Sequence, residues 1–168
     1  MKELIFAIDF DGTMVEHQYP CVGKDVPGAV HVMHKIMEAG HHIILYTMRD
    51  NINKVPEWPE PNNCAEADTV LQQAINWCKD RGIELLDVNN NPRATFSKSR
   101  KVYANVYIDD AALGCPLVMH DYNYTLCRAM VDWYAVEQYL MRLDMISKKN
   151  PLPTSFYADN RLDKVKTW

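Results

Sequence analysis

Short apolar runs and helix-period patterns take turns along this chain. Leu4-Ile5-Phe6-Ala7-Ile8 is continuous, too brief for a helix, and closed by Asp9-Phe10-Asp11-Gly12, which is the pattern of a buried parallel strand. From Pro27, a residue suited to a first helical turn, Val30, Met33, His34 and Met37 recur at helical spacing until Gly40, so a helix is predicted there. His42 to Thr47 reads as a second strand. Ala65 to Arg81 reads as a second amphipathic helix, with Val70, Leu71, Ala74, Ile75 and Cys78 on one face, and Ile83 to Val88 as a third strand. Val102 to Ile108 alternates and predicts a fourth, and Val118 with its neighbours a fifth, at an edge. Ala129, Trp133, Val136, Leu140 and Leu143 mark a long last helix.

Strands alternating with helices over short links predict a three-layer α/β/α, Rossmann-like fold, with helices on both faces of a central parallel sheet and right-handed crossovers. The length of 168 residues suits one domain. Residues 1–147 are expected to form that domain and 148–168 a basic tail that is not a separate domain. In such sheets ligands bind at the C-terminal ends of the strands.

Charge and cysteine content narrow the function classes. The formal charge is −4. It divides unevenly: from Lys148 onward five Lys or Arg face two acids, so the body before it is acidic. An acidic body argues against nucleic acid as the partner. The five cysteines include no C-x-x-C pair, which argues against a disulfide framework or zinc knuckle and for reduced thiols. No apolar run has the length of a membrane span, and the start lacks a signal peptide's apolar stretch, so a cytoplasmic protein with no membrane partner is the expectation.

The strand ends collect the chemistry. Strand 1 ends in Asp9-Phe10-Asp11-Gly12-Thr13, strand 2 in Thr47, and strand 4 in Asp109-Asp110, with Lys101 shortly before it. Asp9 and Asp11 can face one side, and carboxylates so close repel unless a cation or proton lies between them. A cluster of hard oxygen donors without His or Cys suits Mg2+. Thr47 offers a hydroxyl, the turn through Met48 and Arg49 offers backbone N–H groups, and Lys101 offers a positive charge, together a match for phosphoryl oxygens.

This pattern resembles the haloacid dehalogenase superfamily of phosphohydrolases, whose four motifs match here as Asp9-Phe10-Asp11-Gly12-Thr13, Thr47, Lys101 and Asp109-Asp110. Ile8, Val15-Glu16-His17, Tyr19-Pro20, Ser99-Arg100 and Tyr107-Ile108 make it similar to a small, capless subgroup. The resemblance implies a Mg2+-dependent phosphatase acting on a small phosphorylated substrate, such as a nucleotide or sugar phosphate, through an aspartyl-phosphate. Asp9 would be the nucleophile and Asp11 the acid and base. Asp9, the Asp11 carbonyl and Asp109 would hold Mg2+, with Asp110 a ligand through water or an orienting group. Gly12, Thr13, Thr47, Met48, Arg49 and Lys101 would contact substrate, and Lys98 competes with Lys101 for the lysine motif.

Other features have a plainer reading beside the functional one. His31 and His34 share helical spacing, but two ligands on a surface helix make a poor metal site. His17, just past the first motif, is a candidate substrate contact. The Pro-rich loop 50–68, which carries Trp58, follows Thr47 and is expected to overhang the active edge. With no room for a cap, the site is open, closed by that loop, or closed by a second copy in a homo-oligomer. A phosphotransferase with the same intermediate and a non-catalytic phosphate-binding module are the rival readings.

Overall fold

The computed structural model describes residues 2–51, 68–97, 99–118 and 128–153. Four parallel strands form the sheet: β1 (Ile5–Ile8), β2 (His42–Leu45), β3 (Leu85–Val88) and β4 (Val106–Ile108), in the spatial order β3-β2-β1-β4. Helices α1 (Ala29–Glu38) and α2 (Val70–Asp80) make the first two crossovers. A two-stranded antiparallel unit, β5 (Leu117–Val118) with β6 (Met130–Val131), precedes α3 (Trp133–Arg142). Apolar runs of four residues have room only for strands, and their full burial in β1 fits a central position.

The strand order decides what covers each face. From β1 to β2 to β3 the chain steps in one direction, so right-handed crossovers put α1 and α2 on the same face. The β3-to-β4 connection steps back past β2 and β1, and the same handedness puts it on the opposite face. The core reflects this division. Phe6, Ile8, Ile43, Leu45 and Ile108 pack with Met33, Ile36, Ala74, Trp77, Leu140 and Met141 from the helices. Ile5 and Ile44 instead pack with Val102, flanked by Tyr46, Leu86 and Ala104. The Rossmann-like α/β fold with a central parallel sheet thus stands, with one difference in its third layer. Among the described residues, the connection between β3 and β4 that covers the face where a helix was expected is irregular.

Several boundaries move for physical reasons. Val102, the first residue of the predicted fourth strand, is buried, but the ladder starts only at Val106. Before it, the Ile5 N–H donates to the Asn105 side chain (2.9 Å) and the Asn105 N–H to the Ile5 carbonyl (2.8 Å), so a side-chain amide takes a ladder position. The fifth strand is not an edge of the main sheet but pairs with β6, a two-residue strand that periodicity cannot register. The last helix begins at Trp133, where Asp132 caps it by accepting from the Ala135 N–H (3.0 Å); Ala129 lies before it and Leu143 is exposed. Cys21 is disulfide-bonded, while Cys78 and Cys115 are free thiols. This corrects the reading of five reduced thiols: an odd count excludes pairing every cysteine, not a single bridge. The Pro-rich segment 52–67, Lys98 and the tail from 154 lie outside the described residues, as does the start of the second predicted helix at 65–67. No helix among the described residues is long and apolar enough to cross a membrane.

A buried ion pair ties α3 to α1. Lys35 Nζ lies 2.7 Å from Glu137 Oε1, both side chains being nearly or fully excluded from solvent. Glu137 Oε2 accepts the Leu152 N–H at 2.8 Å, so the first residues of the basic segment are docked on the body. Breaking such a pair on one side strands a charge in the interior. Glu137→Ala is expected to lower the unfolding free energy by about 3 kcal/mol in urea titration, and Lys35→Met with Glu137→Leu together by much less.

Candidate active site at the strand ends

The parallel register places the acids. Ile8 pairs with Leu45 and with Ile108, and the ladder extends one residue further as the Asp9 N–H donates to the Ile108 carbonyl (2.9 Å). Asp9 and Asp109 therefore leave adjacent strands at the same level and, by alternation, on the same face as Ala7 and Tyr107. Carboxylate oxygens of Asp9, Asp109 and Asp110 all lie within 4.8 Å of one another. Thr13 braces the group: its hydroxyl donates to Asp9 Oδ2 (3.2 Å) and accepts the Asp110 N–H (3.2 Å). Asp109 Oδ1 accepts the Ala111 N–H (2.8 Å).

Burial, partly offset by the Phe10 N–H, pushes the Asp9 carboxyl up to about 7, with Asp109, Asp11 and Asp110 adding to the rise through like charge. Among the described residues no lysine or arginine pairs with these three carboxylates; the one basic neighbour is His17, whose Nε2 is 3.1 Å from Asp110 Oδ2. Three hard oxygen donors, partly buried and lacking a counter-charge, fit a divalent cation of the Mg2+ type.

Asp11 takes a different course. Arg49, 1% exposed at its side chain, grips it from both prongs: Nε to Oδ2 at 2.8 Å and Nη2 to Oδ1 at 2.7 Å. The other guanidinium donors go to the carbonyls of Pro20, Cys21 and Val70. The plane lies 4.8 Å from the Phe10 ring centroid and 5.4 Å from that of Tyr19. All five donors of the group are thereby used. Arg49, expected to contact substrate, instead serves the protein interior and fixes Asp11. The first-motif turn hydrogen-bonds through the Phe10 carbonyl and the Gly12 N–H, leaving the Asp11 carbonyl outside the turn's own bonds.

The remaining predicted residues are spread more widely. Gly12 has φ +86°, and a Cβ there would come within 2.2 Å of His17 Nε2 and 2.9 Å of Asp110 Cγ, so no other residue fits. Thr47 is buried; its N–H donates to the Asn89 side chain (2.8 Å), whose amide donates back to the Thr47 carbonyl (2.8 Å). Its hydroxyl accepts the Arg49 N–H (3.1 Å), and no described contact joins it to Asp9. Met48 is almost fully exposed. Lys101 is exposed and stands five residues ahead of β4 rather than next to it. His31 and His34 bond separately, to the carbonyls of Asn150 and Arg81, and do not share a site.

A solved structure of a conserved protein from Bacteroides thetaiotaomicron is similar to this chain. The two are 28% identical, with a TM-score of 0.58 over 87% of this chain and 94% of the other. No protein-family model matches the chain, and no curated protein does.

Two supports of the site escaped sequence reading. Trp133 Nε1 donates to the Thr13 carbonyl (2.7 Å, buried) and the Val131 N–H to the Gly12 carbonyl (2.9 Å), so β6 and the head of α3 hold the first-motif turn from behind. Helical spacing marked Trp133 only as core. Nothing in one sequence couples residue 133 to residue 13.

Two outcomes follow for solution experiments. Because the folded-state value for Asp9 lies above its ordinary 3.8, its contribution to stability is full below that value and is lost as pH rises through about 7. A divalent cation reverses that loss, so the Tm gain from Mg2+ in differential scanning fluorimetry is expected to be larger at about pH 8 than at about pH 5.5, and reduced by Asp109→Asn. Arg49→Gln is expected to cost about 3 kcal/mol in chemical denaturation, and Arg49→Lys to recover only part of it, since an ammonium cannot make the two-pronged contact.

Proposed function

We propose that the chain is a Mg2+-dependent phosphatase that hydrolyses a phosphomonoester through an aspartyl-phosphate on Asp9, the chemistry of the haloacid dehalogenase superfamily that its motifs resemble. The observation that carries this reading is the convergence of Asp9, Asp109 and Asp110 without a lysine or arginine among their described partners, with Asp11 held two residues from the nucleophile.

Asp9, Asp109 and Asp110, with the Asp11 carbonyl, would hold the cation, which when bound would draw charge from phosphoryl oxygens and favour an ionised Asp9. An Asp9 oxygen then forms a bond to phosphorus as the bond to the leaving oxygen breaks, and Asp11 gives that oxygen its proton. In the second half, water attacks phosphorus, Asp11 takes up the water's proton, and inorganic phosphate departs with Asp9 restored. Each Asp11 oxygen accepts one bond from Arg49 and keeps a second lone pair for this exchange. Thr13 orients Asp9 through its hydroxyl, and Lys101 would neutralise the phosphoryl group once substrate is bound.

The test is release of inorganic phosphate from a panel of phosphomonoesters with Mg2+. Turnover is expected in the wild type and a fall of at least about 1000-fold in Asp9→Asn, which removes the nucleophile. Wild-type rates in Asp9→Asn would take Asp9 out of the mechanism. Phosphate passed to an added alcohol in place of water would point to a phosphotransferase.

A further inference from the structure

The β3-to-β4 connection does more than cover the sheet. It surrounds a cavity of about 520 Å3 whose wall includes Asn89, Phe96, Arg100, Lys101, Tyr103 and Tyr107, a volume in the range of small-molecule sites. We propose that this cavity receives the leaving group of the substrate and that the substrate is a phosphorylated nucleoside. The inference rests on the phosphatase reading and adds the identity of what is attached to the phosphate.

Three observations converge on it. The first is placement. Tyr107, in the cavity wall, is paired with Ala7, so it lies on the sheet face toward which alternation directs Asp9 and Asp109. Asn89, at another part of the wall, donates its N–H to the Leu45 carbonyl (2.8 Å). It is therefore at the same height on the sheet edge as Asp9, two strands away, or about 10 Å at the usual strand spacing. A phosphate at Asp9 and a ring between Asp9 and Asn89 thus lie within the span of one nucleotide.

The second is the chemistry left free on the wall. Phe96 and Tyr103 meet edge to face with ring centroids 5.3 Å apart, and are 73% and 47% exposed. Both rings leave surface open to a ligand on a connection otherwise tied down. Aromatic side chains of this kind are platforms for bases. Arg100 and Lys101 stand beside them, exposed and without an acidic partner among the described residues, in a body whose net charge is negative. Cations gathered locally against that background match an anionic ligand.

The third is that the wall is braced independently of any ligand. The Asn91 side chain is buried and donates to the Tyr103 carbonyl at 2.6 Å, and its oxygen accepts the Arg93 N–H at 2.9 Å. The Tyr107 hydroxyl donates to the Val102 carbonyl. The backbone at Tyr103 and the Tyr107 side chain are consequently braced before anything binds.

The experiment compares nucleoside monophosphates with glycerol phosphate, using the full chain with Mg2+. Phe96→Ala and Tyr103→Ala, both exposed positions outside the carboxylate cluster, are each expected to raise KM for nucleotides about 10-fold with kcat little changed, and to leave glycerol phosphate kinetics within about twofold. Equal effects on both substrates, or no effect on either, would overturn the assignment. If no phosphomonoester is hydrolysed at all, the phosphatase reading falls, and calorimetric titration of adenosine and uridine monophosphates into the wild-type protein decides the pocket separately. Binding weakened by Phe96→Ala upholds it, and absence of binding removes it.

Discussion

Like charges brought within a few ångströms of one another inside a partly buried edge are costly to assemble, and the pairing of β1 with β4 assembles them. Because Ile8 and Ile108 are in register, the residues that follow both strands must emerge side by side, and both are aspartates. Burial and mutual repulsion raise Asp9 to about 7, which is the electrostatic signature of a place that lacks positive charge. Everything proposed for the chain's chemistry derives from that shortage: a divalent cation is the economical way to relieve it, and a phosphoryl group is what such a cation attracts.

The protein treats its two first-motif aspartates oppositely. Asp9 has a hydroxyl and a backbone N–H for company, whereas Asp11 is met by an arginine that is itself enclosed by two rings and three carbonyls. Two carboxylates separated by one residue are thereby given different environments. The same arginine joins the first motif to Pro20, Cys21 and the head of α2, so that the position of Asp11 depends on three separate parts of the chain.

The irregular layer has a comparable logic. A crossover that must return past two strands could have carried a helix, as the other two do. Here it is an extended, side-chain-braced connection, and its apolar contribution to the sheet is small, mainly Val102 against Ile5 and Ile44. What it offers in exchange is a rim of aromatic and basic groups on the face that the acids share, close to where a substrate would project.

Much of this was legible along the chain. Four-residue apolar runs can be buried only as strands, their order with the helices implied a parallel sheet, and the acids at their ends marked a candidate site before any coordinates. Three things were beyond its reach. The role of Arg49 depends on a guanidinium finding Asp11 across 38 positions, and hydropathy carries no record of a side chain's direction. The bracing of Thr13 by Trp133 joins residues 120 apart, and a tryptophan at helical spacing looks the same whether or not its N–H has a distant carbonyl to reach. The face taken by the β3-to-β4 connection followed from strand order, because only when β4 is known to lie beyond β1 does the handedness of the crossover say which side the connection takes. Local periodicity thus determined the elements and the residues at their ends, while distances between those ends, and the partners that occupy each charge, were decided by packing in three dimensions.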